Sequence, residues 1–560
     1  MRKLLAALLA LMMLAAMPMA MADELEMSDV KGMTAPGVFP IVTEPVTITF
    51  GLIPQGNVED YDTNLFTKYI EEKTGINVEF FFLPATDTNQ KFDLMVAANE
   101  KLPDIMVGGV SDAIYYGQSG HLIALNDYFD KYAYHYNKTI ETYFSDAEKA
   151  ALKAQSYAYD GNRYGFTYAQ PSLGNNHENM MYVNKVWLEK LNLKVPTTLD
   201  ELYEVLVAFR DKDPNGNGLK DEIPLIGFNS FDRRGDVVGD LLNSFLYYPG
   251  GVGIDSARTI VKDGKVASAV VQEEYREGLR FVNKLYKEGL LTEISLTQKD
   301  TQLKAMLDRP SSEPTIIGVV ATHLGSAACG FTNLSDEYNK VMEYDALAPL
   351  AGPEGVAYGM VQASGYDYNV FITSSCEHPE VAFRLLDAMC DPEIGLTFRI
   401  GTKGEHWDWA DEGTLTKTGR PALYKTLMDE MPWVWDSQNV IWRSSNMRMG
   451  VANMGEAAKT VDNPYKQYQS DTFNKGVKLR LGKQPAEVFE TPVWNEAENE
   501  IVTEYGAMIR ETSNEWRTLF VTGQKDLDTD WDEYLTIMEN LGLSEYMEAA
   551  QSCYDRMSGK

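Results

Sequence analysis

Between Val46 and Gly109 the hydrophobic residues change period repeatedly, and that alternation limits the fold more than anything else in the chain. "VTITFGLIP" is β-branched and alternating, as a half-buried strand requires. "NLFTKYIEEKTG" then spaces its apolar residues for a helix and stops at Gly75. "INVEFFFLP" is a second strand, and "QKFDLMVAANEKLPDIMVGG" gives a helix, a turn at Pro103 and a short buried strand. Strand, helix, strand, helix, strand predicts an α/β lobe with a parallel sheet. A second α/β stretch runs from about Asn179 to Pro349, including the helix Leu199–Arg210 and the strand "TIIGVVAT". "YNVFITSS" and "PEVAFRLLDAM" follow, and the last stretch is mostly helical. At 560 residues the chain exceeds what one core can organise, so two or more lobes are expected.

The N-terminus carries a basic pair, Arg2 and Lys3, then the apolar run Leu4–Met17 and a small-x-small site at Ala20-Met21-Ala22. The run is shorter than the ~20 residues of a spanning helix, and the pattern predicts a secretory signal over 1–22, cleaved after Ala22. A flexible segment is expected over 23–43. No cysteine lies near the cleavage site to take a lipid anchor, so the protein is expected at the extracellular face or in a periplasm. Four cysteines (Cys329, Cys376, Cys390, Cys553), without metal-type pair spacing, argue against a disulfide scaffold. The formal charge of −32 excludes nucleic acid as a natural partner, because phosphates would be repelled.

One loop stands out chemically. "RDKDPNGNGLKDEIP" (Arg210–Pro224) follows an amphipathic helix and packs oxygen donors around two glycines. With Asp213 at position 1, side-chain oxygens fall at 3 (Asn215), 5 (Asn217) and 9 (Asp221). Gly218 sits at 6, and Leu219 at 7 offers its carbonyl. That is EF-hand-type spacing. Pro224 holds position 12, so Glu222 would supply the closing carboxylate. A hard cation, Ca2+ above all, would relieve the carboxylate crowding; the competing reading is a plain acidic turn ended by Pro224. Between a helix and the strand "IPLIGF", a bound ion would be a structural staple.

No GxSxG, HExxH, Walker loop or strand-borne GxGxxG is present, and no two of the six histidines have ligand spacing. A pair of carboxylates for glycoside hydrolysis can always be found among 82 acids and so decides nothing. Aromatic clusters in polar surroundings say more: "HWDW" (His406–Trp409), "MPWVWDSQNVIW" (Met431–Trp442) and "DAIYYGQSG" (Asp112–Gly120). Flat rings beside Asp, Asn, Gln and Arg suit sugars, which present apolar faces and hydroxyl rims. The same rings could equally pack between helices.

Taken together, "MMYVNKVWLEKLNLKVPTTLDELYEVLVAFRDKDPNGNGLKDEIPL", "NVEDYDTNLFTKYIEEKTGINVEF", "ANEKLPDIMVGG", "FITSSCEHPEVAFRLLDAMCDPE" and "RIGTKGEHWDW" resemble the family 1 extracellular solute-binding proteins of ABC importers. The match is to the large subgroup that includes alginate-oligosaccharide-binding proteins, and "YYGQSGHLIAL" is similar to maltose-binding protein. The resemblance implies a two-lobed, Venus-flytrap type II α/β fold with extra C-terminal helices and three passages between lobes. The expected division is 44–168 plus 368–402 for the first lobe, and 169–367 plus 403–560 for the second. It also implies a structural Ca2+ on Asp213, Asn215, Asn217, Leu219, Asp221 and Glu222. Ligand contacts are implied at Gln55, Asn57, Asp112, Tyr115, Tyr168, His177, Asp232, Arg233, His323, Trp407, Trp433 and Trp435. The expected activity is capture of an oligosaccharide by a monomer that delivers it to an ABC permease, with no catalysis. The alternatives are a secreted polysaccharide hydrolase, a binder of peptide or another solute, and a surface or sensor module.

Overall fold

The computed structural model describes residues 26–558, apart from 171–178, 231–233, 251–253, 325–328, 361–364, 418, 429–430, 433–434, 444–446, 448, 450–454, 460–461 and 490. The expected signal sequence lies outside the described residues. In chain order the strands begin with β1 (Val46–Leu52), β2 (Ile76–Phe82), β3 (Ile105–Val107) and β4 (Phe166–Gln170). They continue with β5 (Met180–Asn184), β6 (Ile223–Ile226), β7 (Thr259–Lys262), β8 (Lys265–Ser268) and β9 (Ile317–Thr322). The last are β10 (Tyr344–Ala346), β11 (Gly365–Ile372), β12 (Trp407–Trp409) and β13 (Tyr424–Thr426).

The first sheet has the order β2-β1-β3-β11-β4. β1 pairs in parallel with β2 from Val46↔Ile76 to Leu52↔Phe82, and with β3 on its other side. Parallel pairing needs a crossover, which the helix Leu65–Thr74 supplies. Asn64 caps its start by accepting from the Phe66 N–H, and Gly75 ends it at φ 76°. Only glycine serves there, because a Cβ would stand 2.8 Å from the Val42 carbonyl oxygen. β11 enters antiparallel between β3 and β4, an insertion from a distant part of the chain.

The second sheet has the order β10-β5-β9-β6. The helix Leu199–Asp211 buries Leu202, Val205, Leu206 and Phe209, spaced at three and four residues, against it. Phe209 sits so close that a Cβ on Gly318 of β9 would come within 2.3 Å of its ring. Over the same core lie the helices Glu273–Lys287, Glu496–Thr522, Trp531–Asn540 and Leu543–Met557. Trp516, Phe520, Trp531 and Tyr534 form its aromatic centre, the extra C-terminal helices that were expected.

The chain passes between sheets after β4, again between β10 and β11, and a third time late in the sequence. The third passage departs from expectation. Trp407 packs with Leu396 and Ile400, and Trp442, Met447 and Met449 enter the first lobe's core. Ala457 still pairs with Thr416 near the β12–β13 ribbon. Only with the helix Pro464–Arg480, which packs on β10, does the chain rejoin the second sheet. The described residues of 403–458 therefore side with the first lobe. Trp442 is the reason: its indole lies edge-on to Phe50, Phe66 and Phe80 at 5.1–5.3 Å, and its N–H donates to Thr67 Oγ1 at 2.7 Å.

Candidate functional site

In an α/β sheet the loops at the carboxyl ends of parallel strands form the open edge where ligands are held. Two of the expected groups lie there in the first lobe. After β1, the Asn57 side-chain amide donates to the Trp435 carbonyl at 3.1 Å, and the Asn57 carbonyl accepts from the Gln438 N–H at 2.8 Å. The Gln55 N–H donates to the Tyr61 hydroxyl at 2.9 Å. Gln55, Asn57 and the half-buried Trp435 are thereby brought together across more than 370 residues of sequence. After β3, Asp112 caps the short helix Ala113–Gln118, one carboxylate oxygen accepting from the Ile114 and Tyr115 N–H groups. The Tyr115 ring remains 61 % exposed.

Asp112 and Tyr115 line a cavity of about 570 Å³. Its first-lobe wall also includes Gln118, Tyr157 and Tyr159; its opposite wall is the segment Thr491–Glu500, which leads into the second lobe's longest helix. The space thus lies between the lobes and is faced by phenols and the Trp494 indole. Tyr157 is fixed in place: the Arg163 guanidinium stacks 4.3 Å from its ring centroid and donates to its hydroxyl at 2.9 Å. On the other wall Asn495 and Glu498 form a reciprocal capping box at the start of the helix Glu496–Thr522. Trp494, held against Phe489 and Tyr546, sits just before that cap.

Trp494, Tyr157, Tyr159 and the polar groups of 495–500 were missed in the sequence. The available signal was an indole directly ahead of an Asn-x-x-Glu cap, which places a ring at a helix entrance.

Three of the expected contacts lie in the interior of the described structure. Tyr168 is wholly buried in the first core, its hydroxyl donating to the Leu386 carbonyl at 2.9 Å. Trp407 is wholly buried too, its indole N–H donating to the Gly401 carbonyl at 2.8 Å. Both have their polar atom satisfied inside the protein, so neither presents a face to a ligand. His323 is 8 % exposed, with its ring packed 4.6 Å from that of Phe473. His177, Asp232, Arg233 and Trp433 lie outside the described residues.

The acidic loop folds as a tight nest. Asp213 takes φ 46°, and its carboxylate accepts from the N–H groups of Gly216, Asn217 and Gly218 at 2.9–3.1 Å. The side-chain oxygens of Asn215 and Asn217 accept from Asn217 and Leu219 N–H, while both amide NH2 groups turn onto Asp221. Lys190 donates to the Pro214 carbonyl and ties the loop to the neighbouring helix. Glu222 is strained electrostatically: burial, then the nearby Asp213 and Asp221, push its pKa up, and its buried Oε1 has no hydrogen-bond partner. Among the described residues no three Asp, Glu, His or Cys side chains are drawn together as a metal cluster. The donor chemistry nonetheless fits a hard cation. Three carboxylates, two amide oxygens and a carbonyl are all oxygen ligands, and among the described residues no cation offsets the charge of Glu222.

The sequence of residues 55–395 matches the family model for bacterial extracellular solute-binding proteins. The chain belongs to that family. It is 27 % identical over 527 residues to the fructooligosaccharide ABC transporter substrate-binding protein FusA of Streptococcus pneumoniae, covering 89 % of this chain and 88 % of FusA. The polygalacturonan/rhamnogalacturonan-binding protein YtcQ of Bacillus subtilis is 23 % identical over 62 % of this chain and 65 % of its own length. An extracellular solute-binding protein from Bifidobacterium longum subsp. infantis superposes with a TM-score of 0.72 at 20 % identity, covering 92 % of this chain and 98 % of the other. A FusA EF-hand mutant in complex with fructo-nystose superposes at 0.66 and 22 % identity, covering 92 % and 100 %. These likenesses establish the two-lobed fold of solute-binding proteins.

Proposed function

We propose that this protein, exported by its N-terminal signal and monomeric, captures an oligosaccharide between its lobes and delivers it to an ABC permease. The observation that carries this reading is the interlobar cavity walled by Tyr115, Tyr157 and Tyr159 on one side and Trp494 on the other. Rings on facing walls grip the apolar faces of a sugar, and Asp112, Gln118, Asn495 and Asn499 take its hydroxyls. A ligand bridging both walls stabilises the closed arrangement because it touches both lobes only there, and the permease reads that arrangement. Gln55, Asn57 and Trp435, at the same sheet edge, extend the surface toward a longer chain. Ca2+ held by Asp213, Asn215, Asn217, the Leu219 carbonyl, Asp221 and Glu222 supplies charge neutralisation and fixes the turn between the helix Leu199–Asp211 and β6. It does not touch the ligand.

Calorimetric titration with a panel of oligosaccharides and peptides, followed by product analysis of the same mixtures, tests the proposal. Saturable binding of a sugar with no cleavage supports it. Turnover of the sugar would replace it with the hydrolase reading, and binding of peptides alone would replace the ligand.

A further inference from the structure

Oligosaccharide capture leaves the charge of the sugar open. Resting on that reading, we infer that this cavity takes neutral oligosaccharides and rejects chains that carry a carboxylate on each unit. The described lining contains three carboxylates, Asp112, Glu496 and Glu500, and no lysine, arginine or histidine. Glu496 and Glu500 lie one turn apart on the same helix face, both exposed, with Asn499 beside them. Two negative charges on one wall thus face a third on the other.

The features that could attract an anion here are already occupied. The N-terminus of a long helix normally favours negative ligands. In the helix Glu496–Thr522 that end is closed: Asn495 Oδ1 accepts the Glu498 N–H at 2.9 Å, Glu498 returns the contact to the Asn495 N–H at 2.8 Å, and Glu496 adds a first-turn charge. Glu498 also bonds Ser552 and Arg556, so that arginine is engaged behind the wall. On the first-lobe wall, Arg163 is stacked between Phe129 and Tyr157, at 4.2 and 4.3 Å from their ring centroids. It positions a ring and is not itself one of the described residues that line the cavity. Exposed carboxylates accept hydrogen bonds from hydroxyls, as a neutral sugar supplies, whereas a uronate brings like charge against them. Juxtaposed like charges exclude a partner by several powers of ten at full desolvation and less in a wet cleft. Roughly 100-fold discrimination is the expectation.

The test is calorimetric titration of the calcium-loaded protein with kestose, nystose, maltotriose and lacto-N-tetraose, against trigalacturonate and trimannuronate at equal concentration and ionic strength. At least one neutral sugar should bind, with both uronate trimers roughly 100-fold weaker or undetected. A charge-reversed protein, Glu496→Lys with Glu500→Lys, should shift the ratio of trigalacturonate to neutral-sugar affinity toward the uronate by ~10-fold or more. Because the readout is a ratio, a general loss of folded protein does not imitate it. A uronate trimer that binds as tightly as the neutral sugars, or a ratio unmoved by the reversal, overturns the charge rule while leaving oligosaccharide capture intact. Peptide binding with no sugar of either class bound would instead remove the underlying reading.

Discussion

Each lobe fastens a late stretch of chain onto an early sheet, and the two fastenings use opposite chemistry. In the first lobe Trp442 inserts between Phe50, Phe66 and Phe80, a wedge of rings with one hydrogen bond from the indole to Thr67. In the second, Arg517 of the helix Glu496–Thr522 reaches Asp236 with two parallel bonds at 2.9 and 3.0 Å, both side chains about 95 % buried. Asp236 in turn caps the helix Val237–Leu242 by accepting from the Gly239 N–H. The ring wedge gains from burial in any direction and can be repacked. The ion pair is worth having only while both members are present, because a lone buried charge is far costlier than the pair.

That contrast can be broken by substitution. Arg517→Ala should cost ~3–5 kcal/mol by stranding Asp236, whereas replacing Arg517 and Asp236 together by Met and Leu should cost much less. Scanning calorimetry would show the loss confined to one of two transitions. Trp442→Ala should cost a similar ~3–5 kcal/mol from lost burial and a cavity, but Trp442→Phe should recover much of it. If Arg517→Lys restored stability as well as Phe does at 442, the proposed difference would not hold.

Stripping the proposed Ca2+ with EDTA should lower the melting temperature of the second-lobe transition. The expected loss is ~3 kcal/mol for an ion present at 100 times its dissociation constant. The first-lobe transition and the sugar affinity should stay in place. A change in affinity without a change in melting would contradict a purely structural ion.

Asp240 sharpens the second lobe's dependence on charge. Burial pushes its pKa up to about 7, with Arg480 opposing and Asp236 adding to the shift. The folded state therefore holds a proton that the unfolded chain releases near its ordinary value. The resulting destabilisation is absent below about pH 4, grows as pH rises, and levels off above about 7. Asp240→Asn should consequently gain stability relative to the parent, increasingly from about pH 4 and at a constant level above about 7, by ~1–4 kcal/mol, measurable by urea melts at several pH values. The smallest effect is expected at the cavity wall. Asn495→Ala removes the cap of a long helix and should cost about 1 kcal/mol, read from local hydrogen exchange at 496–499.

What the sequence disclosed was local. The strand–helix–strand run from Val46, the amphipathic helix read as Leu199–Arg210 and the oxygen spacing of the acidic loop are each set by residues within one or two turns of each other. Asp112 and Tyr115 stand out through an aromatic cluster in polar surroundings and through the family resemblance, not through a local period. What it concealed was non-local. Trp407, Trp442 and Trp494 all sit among polar neighbours, yet the first two are buried because an acceptor, the Gly401 carbonyl or the Thr67 hydroxyl, waits inside for the indole N–H. Their fate depends on partners brought in by the fold, as does the entry of β11 between β3 and β4. The far wall of the cavity comes from residues some 380 positions after Tyr115, a pairing that no local period encodes.

The helix Glu496–Thr522 is unbroken over 27 residues, and its two ends do different jobs. Arg517 is rooted deep in the second lobe, while Glu496 stands at the mouth of the cavity, about 30 Å away at 1.5 Å per residue. Glu498 also ties the mouth end to Ser552 and Arg556 of the helix Leu543–Met557, so the rod turns only together with its lobe. A lobe tilt of ~10° about the root carries the mouth through about 5 Å, enough to swing Trp494 toward or away from Tyr115 by the thickness of a sugar ring.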